Sequence, residues 1–416
     1  MERRQFLLGG SALVASGWAG ANDRVRVAIL GVGGRGNDLI RDVGKTTNGE
    51  VGALVDPDGN RTEAAAQKIV SAGGRRPRLE SDMRRVFDSK DIDAVAIATT
   101  NHWHALSAIW AMQAGKDAYV EKPVSHNIFE GRKLVETARR YNRVCQGGTQ
   151  RRSYGRMRKI AELLRSGHIG DIYLSKWVFP GRRESIGFKE TKQPPGWLNW
   201  DLWLGPAPEQ PFHENLVHYN WHWFWDFGNG ELGNNGIHLV DVSRWCMNKD
   251  LPVRVHSWGG RWGYNDQAQT PATQNVTWTY ADGTAIVGEI RDLYTSEPMS
   301  WDFWGTKGHM HIFSDGKFQV VMARKKEFEP EIDPLPDVQH MQNFTDAVRS
   351  RDWRSLNAEI EQTHLSTALC HLGNISYRLG RELRFDPNTE RFIGDAEADK
   401  LLRRDYRMPY VVPDRI

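Results

Sequence analysis

Between residues 24 and 148 short apolar runs alternate with stretches of helical periodicity, the pattern of βαβ units in a parallel sheet. The runs 25–31, 51–56, 94–99, 118–121 and 144–146 are predicted strands, and 37–43, 60–71, 104–114 and 128–141 are predicted helices. In the last helix Ile128, Gly131, Val135 and Ala138 recur at helical spacing, with Asn127 placed to cap the N-terminus. Residues 22–150 are therefore expected to form a doubly wound α/β domain.

A helix over 156–166, closed by Gly167, leads into a different texture. Runs at 172–179, 253–259, 274–280, 285–290, 300–304, 309–313 and 318–322 read as strands, and Ala281-Asp282-Gly283 and Ser314-Asp315-Gly316 read as turns between neighbours. This predicts a second, α+β domain over 151–385 built on a mostly antiparallel sheet. Between its first two strands lies a Trp- and Pro-rich insert, 181–232, too long for an idle loop and expected to wall a site. Helical periodicity returns at 338–350 and 358–379, and the polar stretch 386–416 is expected to be a C-terminal tail. No internal repeat is present.

The 416 residues carry 55 Lys+Arg against 52 Asp+Glu, a balance that argues against a nucleic-acid or membrane-surface partner. Three widely spaced cysteines without a C-x-x-C point to buried hydrophobes rather than a disulfide framework or a zinc knuckle. The opening Met1-Glu2-Arg3-Arg4-Gln5-Phe6-Leu7, the apolar run 8–19 and the ending Ala19-Gly20-Ala21 resemble a twin-arginine export signal. Residues 1–21 are thus expected to be read by export machinery and removed, leaving a periplasmic or otherwise extracytoplasmic protein. No other run approaches the roughly 18–20 apolar residues of a membrane span.

Gly31-Val32-Gly33-Gly34-Arg35-Gly36 reads G-x-G-x-x-G at the junction of the first strand and helix. Gly31 suits a tight turn, Gly33 lets backbone approach a diphosphate, and Gly36 lets helix and strand pack closely, with the diphosphate held by free N–H groups. Asp56, twenty residues further on at the end of the second strand, can accept from both ribose hydroxyls of an adenosine and repels a 2′-phosphate. NAD is favoured over NADP, with Arg61 the one nearby group that offsets this. Thr99-Thr100-Asn101-His102-Trp103-His104 and Glu121-Lys122-Pro123 follow later strands at the edge where open parallel sheets bind ligands.

With Gly236-Ile237-His238-Leu239-Val240-Asp241, these segments resemble the Gfo/Idh/MocA oxidoreductase family over nearly the whole chain beyond the leader. The resemblance implies a Rossmann domain joined to a domain with a large open, mostly antiparallel sheet whose face often mediates homo-oligomerisation. It also implies NAD(P)-dependent oxidation or reduction of carbohydrate or cyclitol carbons. Lys122 is then the catalytic lysine, His238 the substrate-side acid/base, and Asn101 and Glu121 line the cofactor. The expected cofactor contacts are completed by Gly34, Arg35, Thr99 and His104, and the expected substrate contacts by Gln150, Arg151, Tyr219, Trp223 and Asn234.

Asn234, His238 and Asp241 stand at i, i+4 and i+7, one face of a helix. Imidazole suits proton transfer near neutrality, so His238 is the expected base, with Lys122 beside it and Asp241 orienting it or helping to bind substrate. Where many relatives have aspartate, Asn234 cannot exchange a proton. The insert carries Trp197, Trp200, Trp203, His213, His218, Tyr219, Trp221, His222, Trp223 and Trp225, rings suited to a saccharide wall or to a local core. His218 and His222 lack a legible third ligand, and no metal is expected. Three readings stay open: a sugar oxidoreductase with tightly held NAD in a redox-neutral cycle, an NAD-dependent glycosidase, and a non-catalytic carbohydrate or nucleotide binder.

Overall fold

The computed structural model describes residues 24–322, 325–328 and 334–416. The leader expected over 1–21 lies outside them. Six parallel strands, β1 (Val25–Leu30), β2 (Gly49–Val55), β3 (Arg78–Glu80), β4 (Ala94–Ile97), β5 (Asp117–Val120) and β6 (Cys145–Gly147), form a sheet in the order β3-β2-β1-β4-β5-β6. Helices cover both faces, so Val27, Ala28, Ile29 and Leu30 are consecutive buried residues, which is why β1 reads as a continuous apolar run. The order reverses between β1 and β4, opening a crevice at the strands' C-terminal ends. The edge strand β3 has no apolar run and was invisible to the hydrophobic pattern. Asn127 caps the helix Ile128–Arg140 as expected, its side chain accepting from the Glu130 amide at 2.9 Å.

The second sheet contains β7 (Ile172–Pro180), β8 (Arg254–Gly260), β9 (Thr273–Thr279), β10 (Ala285–Arg291), β11 (Ser300–Gly305), β12 (Gly308–Phe313), β13 (Phe318–Met322), β14 (Lys325–Phe328), β15 (Leu383–Asp386) and β16 (Arg391–Phe392). Its order is β14-β13-β12-β11-β7-β10-β9-β8-β15-β16, antiparallel throughout except where β7 meets β10. Burial alternates along β9 and β10, as it must when helices cover one face only. Trp278 and Trp301 stand on the covered face, and their indole N–H groups donate to Leu369 O (2.9 Å) and Leu239 O (3.0 Å). Two helices, Ile237–Cys246 and Ile360–Leu379, are thereby pinned to the sheet by donors that burial would otherwise leave unpaired. Among the described residues no helix is long and apolar enough to cross a membrane.

The two domains share their cores. Met341, Phe344 and Ala347 of the helix His340–Ser350 pack with Val25 and Val27 of β1. The stretch 386–416, expected as a C-terminal tail, is built into the fold: it continues β15, adds β16 and the short helix Ala396–Lys400, and returns to the Rossmann domain. There Tyr410, 2 % exposed, meets Trp103 edge-on at 5.3 Å and donates to Asp201 Oδ2 at 2.8 Å. Arg407 donates to the carbonyls of Asp201 (2.7 Å) and Gly205 (2.9 Å) in the insert. A few apolar anchors in polar surroundings leave no periodic pattern, which is why the packing was not legible. Replacing Tyr410 by Ala is expected to cost about 3 kcal/mol of stability, read as a lower urea midpoint; an unchanged midpoint would show the strap to be loosely attached.

Candidate active site

The first strand ends in a turn that only glycine fits. Gly31 has φ +84°, and a Cβ there would lie 2.5 Å from Ala98 O, while a Cβ on Gly36 would lie 2.0 Å from Gly31 O. The helix Gly34–Gly44 therefore starts hard against the strand, and its N-cap, Gly33, has no side chain to satisfy the first amides. Those N–H groups and the helix dipole face a cavity of about 530 Å³ lined by Gly31, Gly33, Gly34, Arg35, Asp56 and Arg61 on this side. Asp56 Oδ2 and Oδ1 accept from the amides of Val32 (2.7 Å) and Asp58 (2.9 Å), which fixes the carboxylate at the end of β2 against the upward pKa pull of burial. Close backbone, uncapped amides and an anchored acid together fit an NAD.

Thr99, Asn101 and His104 line the same cavity. His104 has Nδ1 2.7 Å from Pro123 O and Nε2 3.0 Å from Thr99 O, so it ties the loops after β4 and β5 together. Asn101 Oδ1 is buried without a partner among the described residues. Glu121 accepts from Arg35 Nε (2.7 Å) and Tyr119 OH (3.2 Å). Burial raises its carboxyl, but Arg35 and Lys122 outweigh that and hold it below the usual carboxylate range.

Lys122 reaches from this edge to the second domain. Its Nζ donates to Asn234 O at 2.7 Å and to Asn234 Oδ1 at 3.3 Å. Asn234 lies in a π turn, Leu232–Gly236, that precedes the helix Ile237–Cys246; such interruptions of the α pattern gather at functional sites. Burial lowers the Lys122 pKa from 10.5, opposed by Glu121 and Glu231. His238, one turn along, lines the same cavity as Lys122 and Asn234. Burial, then the charges of Lys122 and Arg151, drive its pKa well below 6.5, and its Nδ1 has no partner among the described residues. The imidazole is neutral at physiological pH.

Residues 25–149 match the oxidoreductase family's NAD-binding Rossmann fold, and residues 173–412, more than half of the chain, match its C-terminal alpha/beta domain. The chain belongs to the Gfo/Idh/MocA oxidoreductase family. It is similar to a glycosyl hydrolase family 109 protein of Shewanella pealeana, 30% identical over 36% of this chain and 34% of that protein. It is also similar to inositol 2-dehydrogenase 3 of Saccharopolyspora erythraea, 32% identical over 37% of this chain and 44% of that one. The chain thus spans between a third and a half of the length of these curated relatives. Its fold is that of the WlbA dehydrogenase from Bordetella pertussis, solved with NADH and UDP-GlcNAcA, with a TM-score of 0.66, 16% identity, and 87% and 99% of the two chains covered. Levoglucosan dehydrogenase, in complex with NADH and L-sorbose, aligns with a TM-score of 0.67, 16% identity, and 87% and 99% covered.

Within this Gfo/Idh/MocA chain, three residues expected at the site do not line its cavity. From His238 to Asp241 a helix advances three residues, a turn of about 60° off the first direction and about 4.5 Å deeper. Asp241 accordingly meets Arg152, whose Nε and Nη2 reach its carboxylate at 2.9 and 2.8 Å, and Ser366 Oγ donates at 2.6 Å. It does not line the cavity. Arg151 lies over the Trp301 ring at 5.0 Å, and Trp223 is buried beneath Arg183 at 5.5 Å. Gln150 and Tyr219 do line the cavity.

The aromatic insert divides between two tasks. Trp203, Phe212, Leu216, Trp221 and Phe227 form a small core, with Trp200 stacked on Trp203 at 5.0 Å. Leu202, Trp203, His218, Tyr219, Trp221 and His222 wall the cavity. The Asn199 amide donates to Pro57 O at 3.0 Å and His218 Nε2 lies 3.3 Å from Asp58 Oδ2, so the insert closes over the loop that follows β2.

The sequence reading missed Glu231. Buried at 1 % exposure, it accepts from Arg183 Nε and Nη2, each at 2.9 Å, and from the side-chain amides of Asn234 (3.4 Å) and Asn235. Holding the Asn234 amide nitrogen turns its Oδ1 toward Lys122. The only trace of this in the sequence is a glutamate three and four residues before two asparagines. Because Asp241 serves the buried ion pair rather than the cavity, Asp241→Asn is expected to lose about 3 kcal/mol of stability while leaving kcat within about twofold of the parent. A large fall in kcat at unchanged stability would return Asp241 to the chemistry.

Proposed function

We propose that this protein oxidises or reduces a secondary alcohol of a sugar or glycoside, using an NAD that stays bound through a redox-neutral cycle. The observation that carries this is the meeting of Lys122, from the Rossmann edge, with Asn234 and His238, from the second domain, at the wall of the cavity that begins at the glycine turn. A bound NAD supplies reversible hydride transfer there. Lys122, held by both Asn234 oxygens, stabilises charge developing on the substrate oxygen, and the neutral His238 receives the hydroxyl proton. Tyr219, half exposed at the cavity mouth, and His222 offer polar tips to sugar hydroxyls. The insert and its C-terminal strap cover the cofactor side, which favours retention over exchange with each turnover. The resemblance of residues 1–21 to an export signal favours the same reading, since a protein outside the cytoplasm would meet little free nucleotide.

A second reading is favoured by the similarity to a glycosyl hydrolase family 109 protein. In it a transient ketone acidifies the adjacent C–H, a leaving group departs, water adds and the ketone is reduced again, so the net reaction is hydrolysis.

Purified from the extracytoplasmic fraction, the protein is expected to begin after residue 21, to retain NAD, and to sediment as a homo-oligomer through the outer face of the large sheet. Incubated with a panel of sugars and glycosides without added NAD, it should turn over. Products distinguish the readings: paired oxidised and reduced sugars for the first, a free aglycone for the second. Lys122→Ala and His238→Ala should each lower turnover by at least about 100-fold while NAD is retained. An empty protein that works only with supplied NAD would overturn the closed cycle.

The Lys122 cation is sustained by Glu121 and Glu231 against burial. If it must be protonated, activity falls as pH rises through its pKa, and removing one supporting carboxylate moves that fall to lower pH. Glu231→Gln is expected to shift the alkaline limb of kcat by about one unit downward. A limb that stays in place would uncouple Glu231 from Lys122.

A further inference from the structure

Contact with sugar hydroxyls leaves the most specific features of His222 unused. The carboxylates that line the catalytic cavity, Asp38, Asp56, Asp82 and Glu121, all come from the Rossmann domain, so the opposite wall offers as bases three imidazoles, of His218, His222 and His238. His218 is turned to Asp58, with Nε2 3.3 Å from Oδ2. His222 and His238 remain, one from the insert and one from the helix Ile237–Cys246.

Two contacts fix the His222 ring. Its Nδ1 lies 2.6 Å from Tyr219 O, and a carbonyl can only accept, so Nδ1 carries the proton and Nε2 a lone pair. The ring stacks on Trp221, with 3.6 Å between centroids and 20° between planes. Nε2 has no hydrogen-bond partner among the described residues and, unlike His238 Nδ1, is not sealed from solvent. A half-buried acceptor of fixed tautomer thus opens onto the cavity. Burial holds this imidazole below 6.5 against the bond to Tyr219, and the Lys122 and Arg183 charges add to the fall. The Lys122 charge acts on His238 as well, so one ammonium has two neutral imidazoles within electrostatic reach, from two different elements.

Oxidation of a sugar carbon creates work for the second of them. His238 is occupied once it has taken the hydroxyl proton, and the ketone left by hydride transfer to the nicotinamide acidifies the neighbouring C–H. Removing that proton moves the C–H electron pair into the C–C bond and the carbonyl pair onto oxygen, the same oxygen that Lys122 serves in the first step. The anion so formed offsets the ammonium, which strengthens a nearby base during the step that needs it.

We propose that His222 is a second catalytic base, whose Nε2 removes the proton from the carbon next to the one oxidised and leaves an enolate on Lys122. The proposal rests on the sugar-oxidation reading above. Return of the proton to carbon exchanges that hydrogen with solvent. Where the next carbon bears a leaving group, the enolate pair expels it as the carbonyl re-forms, and the leaving oxygen takes the proton from His222.

Incubation of the NAD-loaded protein with methyl β-glucoside, methyl β-galactoside and methyl β-mannoside in D2O tests this, with bound reduced nicotinamide followed by absorbance and deuterium in the recovered sugar or product by NMR. Deuterium should appear at a carbon next to the oxidised one. In His222→Gln, and in His222→Phe, which keeps a ring on Trp221, the ratio of exchange to hydride transfer should fall at least about 100-fold. His238→Ala, which impairs the step before, should lower both together. Melting curves of the variants separate a lost base from a lost fold. In the protein without sugar, 15N spectra of labelled histidine should show an imidazole, missing in His222→Gln, that is protonated on Nδ1 alone at pH 7. Reduced nicotinamide without deuterium, a ratio unchanged in His222→Gln, or a proton on Nε2 would overturn the assignment and leave sugar oxidation standing. No reduced nicotinamide with any of the three glycosides would overturn the reading of the cavity, and the second base with it.

Discussion

A lysine ammonium withdrawn from water has to be answered by oxygen atoms, and the way this protein answers Lys122 organises the rest of its site. The charge stands at the C-terminal edge of the parallel sheet, yet its acceptors, the two oxygens of Asn234, come from the other domain. From Lys122 the polar chain runs backward through Glu121 and Arg35 to the helix at the glycine turn, and forward through Asn234, Glu231 and Arg183 to the root of the insert. A relative movement of the domains would strip this cation of its Asn234 acceptors and of Glu231, leaving Glu121 alone to answer it. The contact that positions the amine thus ties the two domains together at the cavity.

Around that contact the protein divides its ionisable groups by depth. Arg152 and Asp241 pair below the surface, where breaking them leaves an uncompensated charge, and they hold the helix that presents His238. His238 itself is kept neutral by burial and by nearby cations. Burial lowers both groups, the imidazole from an ordinary value of 6.5 and the amine from 10.5, and carboxylates oppose the fall only at the amine, which is how proton acceptor and charge stabiliser are told apart in one cavity.

The insert and the C-terminal strap impose a second constraint, on access. A local aromatic core makes the insert rigid enough to act as a wall, and Tyr410 and Arg407 hold it from behind. Its backbone contact with the loop after β2 brings the insert over that side of the cavity.

What was legible in the sequence is what depends on neighbours along the chain. The parallel sheet was visible because a strand buried on both faces must be a run of apolar residues, the glycine turn because each glycine answers a separate local clash, and Lys122 because it follows a strand at the edge where open parallel sheets bind ligands. The alternating strands of the second sheet and the Asn127 cap were local in the same sense. The partner of Asp241, the role of Glu231, the burial of Trp223 and the return of residues 386–416 onto the first domain were settled only by tertiary packing. Each depends on a residue brought near by the fold: Arg152 to Asp241 across 89 positions, Asn234 to Lys122 across 112, Asp201 to Tyr410 across 209. Periodicity records which way a side chain faces, and carries no record of what it will meet there.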